Sequence, residues 1–267
     1  MIKMRGLLTL TLKEHLRGQI VWVSGFVIVL LMLLVTLISG AALTHESRVL
    51  DVFSYFISDQ ILLFLGIFFG ASICSHDFSS RGIAELLIPS GCSRSAILIV
   101  RIIGFAIVLL SIAIVIFSVH SFLLPHFAEF PRTPDRKAHF AMFILSYLKS
   151  ITGLSVATSI GCIARPVFAV LGSLTLFSVG HLTASLDTLI NASGSAVASD
   201  ELGAFSAFFY KLFSIWNPGV LVLESIRGEW ILPNLQAFTV ACLWAAGVIL
   251  TSLGLALMTL TRIDIRA

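Results

Sequence analysis

The chain has 267 residues, 58% of them hydrophobic and 12% charged, with a formal net charge of +3 and a mean hydropathy of +1.03. This composition excludes a soluble domain, being far more apolar than ordinary globular usage, and the small scattered basic excess offers no electrostatic footprint for nucleic acid. Lipid is the solvent for most of the chain, and spans of about 20 apolar residues leave room for roughly six.

Hydropathy places those spans at about 20–43, 55–75, 96–124, 140–163, 167–190 and 235–260. The expected fold is all-α, a polytopic six-transmembrane-helix bundle forming one domain over 1–267. An N-terminal interfacial helix precedes it, and a short outer-face helix lies before the last span. At the N-terminus Leu8, Leu12, Leu16 and Ile20 recur at four-residue spacing while Lys13 and Arg17 occupy another stripe. This pattern reads as an interfacial helix or as a plain extension of the first span. Charged residues run to Arg17 and the apolar run beyond is too long for a signal-peptide core, so the first helix is expected to stay in the membrane. Lys3, Arg5, Lys13 and Arg17 outweigh Glu14, which predicts a cytoplasmic N-terminus, both termini inside, and residence in the cytoplasmic (inner) membrane. In the second span, Gly66 and Gly70 form a G-x-x-x-G pair, read either as close helix packing inside the subunit or as a homodimer contact.

The inside loop 76–95 is the most informative segment. Gly82 breaks the chain, Glu85, Leu86, Leu87 and Ile88 can form a short helix, and Pro89 to Gly91 turn it back. Arg94 and Arg101 follow at the start of the third span, where long basic side chains can reach the headgroups. A short, polar-flanked element in this place can dock a soluble partner. The alternative is an ordinary loop with basic anchors.

The spacing resembles that of the type-2 ABC transporter permease family, and most closely the branch associated with nitrous-oxide reductase and multicopper enzyme maturation. That family carries Gly-Thr-x-Glu-x-Leu-Leu-x-x-Pro-x-Ser-Arg followed by x-x-Ile-Leu-x-x-Lys-x-x-Gly. Gly82, Glu85, Leu87, Ser93, Arg94, Ile97, Leu98 and Gly104 stand at the matching places, with Arg101 where Lys is usual. Ile83 replaces the Thr, Gly91 replaces the Pro, and the proline is displaced to Pro89. The resemblance implies a permease subunit, most simply of an exporter, that pairs with a second permease copy and two ATP-binding cassette subunits. Gly82, Glu85, Leu86, Leu87, Ser93 and Arg94 would form the coupling helix that meets the ATPase. ATP and magnesium would then be bound by the partner, not by this non-catalytic chain. In keeping with that division, the sequence has no G-x-x-x-x-G-K-S/T phosphate loop.

Further along, Lys149 lies about 13 Å into the fourth span at 1.5 Å per residue. Thr152, Ser155 and Ser159 continue a polar stripe from it, and His181 in the fifth span falls at a similar depth. An ionisable group so deep is a functional candidate, so these five residues form a candidate translocation path. The alternative is that Lys149 snorkels outward while the hydroxyls bond neighbouring helices. Cys74, Cys92, Cys162 and Cys242 have no metal-ligand spacing and read as free thiols, and His45, His120, His126 and His139 lack a ligand pattern, so no metal is assigned. Phe205, Phe208, Phe209, Leu212, Phe213 and Trp216 form the aromatic face of an amphipathic stretch, an outer-face helix or a re-entrant piece, which Pro218 ends. Three alternatives stand beside the permease reading: a haem-exporter-type permease of cytochrome maturation, an intramembrane enzyme and a scaffold. The enzyme reading lacks H-E-x-x-H, paired intramembrane aspartates and a convincing Ser-His pairing.

Overall fold

The structure is a computed structural model. It describes residues 2–17, 46–78, 92–127, 136–192 and 235–262, with isolated positions 25, 26, 29, 33 and 88 between them. The described residues form six helices and no strand: α1 (Ile2–Arg17), α2 (Glu46–Asp77), α3 (Arg94–Phe127), α4 (Arg136–Gly161), α5 (Pro166–Ala192) and α6 (Leu235–Arg262). Four of them contain stretches long and apolar enough to cross a membrane, at Ser58–Ser75, Arg94–Val119, Phe140–Gly161 and Phe238–Thr261. A shorter apolar stretch, Pro166–Gly180, occupies the first half of α5. Most of the first expected span, the aromatic outer-face helix and most of loop 76–95 lie outside the described residues.

The partition of side chains is that of a membrane protein. Leu243, Leu250, Phe68, Phe168 and Met258 are exposed, whereas Ser58, Asp59, Ser146, Lys149, Ser150, Thr152, Ser155 and Thr158 are buried. Such an arrangement would be costly in water and is natural in lipid, where apolar side chains are solvated and polar ones must find partners within the protein.

The centre of the bundle is the α2–α4 pair. Gly66 faces Ser150, Gly70 faces Leu154, and Cys74 meets Thr158 and Cys162, so residue numbers rise together and the two helices run parallel. Their contact is backbone to backbone. A Cβ added at Gly66 would collide with the carbonyl oxygen of Ser150, one at Gly70 with that of Leu154, and one at Gly153 would stand 2.9 Å from Leu63 Cδ1. The G-x-x-x-G pair therefore serves close packing inside the subunit, as small-residue motifs do where no water drives helices together.

Helix α3 runs antiparallel along this pair. Phe69 stacks on Phe105 with ring centroids 4.8 Å apart, and further along Phe117 meets Phe143 at 5.0 Å. Tyr147 also donates to the Ala106 carbonyl oxygen at 3.1 Å. On another side, α5 packs Phe177 and Ala169 against Leu63, Ile67, Ala71 and Ala157. The turn into α5 is tight because Ala164 N–H donates to the Ile160 carbonyl at 2.8 Å and Pro166 opens the next helix, where its missing N–H goes unneeded. Helix α6 adds Ala256 and Leu260 to the core shared by α2, α3 and α4.

Helix α1 lies on the first turns of α3, with Leu7 and Leu8 packed against Ile97 and Val100. Leu8 and Leu12 of the expected stripe do face the protein, but the contact is centred nearer Leu7 and Thr11, both buried. Gly104 makes room for Thr11, since a Cβ there would stand 2.6 Å from the Thr11 methyl, and the Thr11 hydroxyl donates to the Leu7 carbonyl at 2.9 Å. Arg101 departs from expectation. It does not reach out to the headgroups but is 2% exposed, because it lies between Ile97 and Gly104 along the part of α3 where α1 packs.

Candidate functional site

Deep in the bundle, Lys149 of α4 is fully buried and its Nζ donates to Asp59 Oδ2 of α2 in a salt bridge. The pair follows from the helix register. The parallel α2–α4 register, Gly66 opposite Ser150 and Gly70 opposite Leu154, sets Asp59 level with Phe143, and the long Lys149 side chain, which as on any helix leans toward the N-terminus, reaches back along α4 to meet it. Lys149 therefore ends on a counter-charge inside the bundle and is not exposed at its surface. Bringing an ammonium out of water costs several kcal/mol, and the carboxylate offsets this locally, so burial of either group depends on the other.

Asp59 also lines a cavity of about 20 Å³ between α2, α3 and α4, bounded by Ser58, Leu62, Ala113, Ile116, Phe117, Phe143 and Ser146. Its second oxygen, Oδ1, is buried and has no hydrogen-bond partner among the described residues. A space of this size admits about one water molecule. The site thus combines a neutralised charge pair, a carboxylate oxygen able to accept from a small donor, two serines and an aromatic wall. Chemically it is a polar node able to bind a small hydrogen-bond donor inside the bundle.

The rest of the expected polar stripe has a different character. Thr152, Ser155 and Ser159 are buried, but Thr152 donates to the Leu148 carbonyl at 2.8 Å and Ser155 to the Thr152 carbonyl at 2.9 Å. Those hydroxyls are satisfied by their own helix, as is usual for Ser and Thr in spans. None of the three lines the cavity at Asp59. Position 181 lies on α5, and the His181 side chain is outside the described residues.

Of the expected coupling residues, Gly82, Glu85, Leu86 and Leu87 lie outside the described residues, while Ser93 and Arg94 lie within them. Ser93 is the N-cap of α3: its Oγ accepts from Ala96 N–H at 3.2 Å and its carbonyl accepts from Ile97 N–H at 3.1 Å. Arg94 Nη1 donates to the Leu260 carbonyl at 3.4 Å, joining the start of α3 to the last turn of α6. A cation there also complements the negative end of the α6 dipole.

Asp59 was not among the residues singled out from the sequence. The signal was present, because an acid a few residues inside an apolar span is governed by the same rule that singled out Lys149. A buried lysine also calls for a counter-charge, and a search for acids in the other spans would have reached it. No model of a known protein family matches the chain, and neither does any curated protein.

Proposed function

We propose that this chain is the membrane-spanning permease subunit of a type-2 ABC transporter, working as an exporter with a second permease copy and two ATP-binding subunits on separate chains. The observation that carries the reading is the spacing of Gly82, Glu85, Leu87, Ser93, Arg94, Ile97, Leu98 and Gly104 across the connection from α2 to α3. In this reading both termini and that connection face the cytoplasm. The capping of α3 by Ser93 and the Arg94 link to α6 support it mechanically, because a push on a connection pinned at its end passes into helices instead of being absorbed by a slack loop. Closure of the ATPase then biases the helices between two arrangements. The Asp59–Lys149 node, at the far end of the stretch Ser58–Ser75 from that connection, is the element we assign to the transport path, with Thr152, Ser155, Ser159 and His181 along it.

The test is the paired substitution Glu85→Arg with Leu87→Arg in the assembled complex. A reversed charge and a charge in a packed docking groove together oppose association by several kcal/mol, on the order of what buried interfacial charges cost. The expected result is a chain that still inserts but loses most of its ATP-binding partner on purification, and with it most of the ATP hydrolysis of the complex. Wild-type retention and hydrolysis would show that the connection is not a coupling element.

A further inference from the structure

Two thiols that are remote in sequence meet in the structure. Cys74 Sγ of α2 and Cys162 Sγ, in the turn after α4, are 2.7 Å apart and are not joined in a disulfide. The register that brings them together is well supported on both sides. Thr158 Oγ1 donates to the Gly70 carbonyl at 3.3 Å, and Cys74 Sγ lies 3.7 Å from the Thr158 carbonyl. Gly70 and Ala157 approach so closely that a Cβ on the glycine would be 3.0 Å from that of the alanine, and a Cβ on Gly161 would be 3.7 Å from Ala71 Cα. Such helix-to-helix proximity is what a disulfide requires, its Cα atoms being about 4.4–6.8 Å apart.

We propose that Cys74 and Cys162 are an oxidation site, a dithiol that a peroxide converts into an intrasubunit disulfide stapling α2 to α4. Among the described residues no third His, Cys, Asp or Glu joins the pair, so it does not have the donor set of a structural zinc site, which takes four ligands. Both cysteines belong to a core cluster that includes Ile73, Leu98 and Leu154, and the Cys74 sulfur is a nucleophile within reach of an oxidised Cys162. The pair also lies at the edge of the apolar slab. Cys74 is next to the end of the stretch Ser58–Ser75, and Cys162 is the first residue past Phe140–Gly161. A small neutral oxidant such as hydrogen peroxide can reach that depth from water, although the two residues are only 9% and 8% exposed.

The chemistry balances with peroxide as the oxidant. The Cys162 thiolate attacks one peroxide oxygen, the O–O bond breaks, and a sulfenic acid and hydroxide result. The Cys74 sulfur then attacks the sulfenic sulfur, an S–S bond forms, and water leaves with the displaced hydroxyl and the Cys74 proton. In sum, two thiols and one peroxide give one disulfide and two waters. Thiol–disulfide exchange with a reductant reverses it. The inference concerns the α2–α4 contact itself and holds independently of what the chain transports.

The test uses the full wild-type chain in detergent micelles with hydrogen peroxide as the probe, followed by denaturation, alkylation, proteolysis and mass spectrometry. The expected product is a peptide pair joined through Cys74 and Cys162, lighter by two hydrogens than the separate peptides and returned to two alkylatable thiols by dithiothreitol. In Cys74→Ser or Cys162→Ser the linked pair disappears, and the remaining thiol of the pair is recovered as a higher oxidation product. The inference is overturned if Cys74 and Cys162 stay alkylatable while peroxide oxidises Cys92 or Cys242. It is also overturned if either cysteine cross-links to Cys92 or Cys242 as readily as to its neighbour.

Discussion

Lys149→Met alone is expected to lower the stability of the bundle by about 3–5 kcal/mol, and Asp59→Asn in the same chain to restore most of that loss. The reason is the geometry of the pair. Lys149 has no exposure, Asp59 Oδ2 accepts a hydrogen bond from its ammonium, and Asp59 Oδ1 already lacks a protein partner among the described residues. Removing the lysine strands a carboxylate in a low dielectric, and removing the carboxylate alone strands an ammonium. Removing both leaves neutral groups of similar size. A double-substitution cycle read by denaturant unfolding in detergent measures the coupling, which should reach a large fraction of either single loss. Additive losses would mean that the two groups do not depend on each other.

An effect of similar size is expected on the α2–α4 contact. Gly66→Leu or Gly70→Leu should each cost about 3 kcal/mol or more, the upper range of overpacking, because the atoms in the way are the main-chain carbonyls of Ser150 and Leu154 and cannot rotate aside. Either change forces α2 off α4, and with it Asp59 from Lys149 and Cys74 from Cys162. Gly247→Ala and Gly254→Ala provide the contrast, since a Cβ at either position meets nothing within 4 Å. Those two should be neutral, or stabilising by up to about 1 kcal/mol through helix propensity. The unfolding midpoints of the four variants decide the matter, and equal behaviour of the two sets would contradict the packing described.

The helices were legible because apolar runs of spanning length are a strong signal. The expected span 140–163 and the observed stretch Phe140–Gly161 nearly coincide, as do 235–260 and Phe238–Thr261. What was not legible depended on register between helices. Asp59 sits between the polar Ser58 and Gln60 near the start of its span, where an acid reads as part of the boundary, while Lys149 stands out further into its span. Cys74 and Cys162 looked unrelated because nothing local brings α2 and α4 into parallel contact at that level. Arg101 was placed by its position near a span end, whereas its burial depends on the face of α3 that it occupies and on α1 packing there. Gly66 and Gly70 were recognised as packing residues, but only the structure selects α4 as their partner. In each case the missing information was tertiary and concerned polar or small residues, whose environment depends on what lies opposite.

The most direct test of the permease reading is to purify the chain, tagged and at native level, from its own membrane and to identify and quantify what stays bound. The reading predicts a stable complex with an ATP-binding cassette protein, about one copy per copy of this chain, whose ATP hydrolysis changes when the chain is removed. A chain that purifies alone or only with itself, from a membrane in which every such ATPase is recovered with other partners, would contradict it.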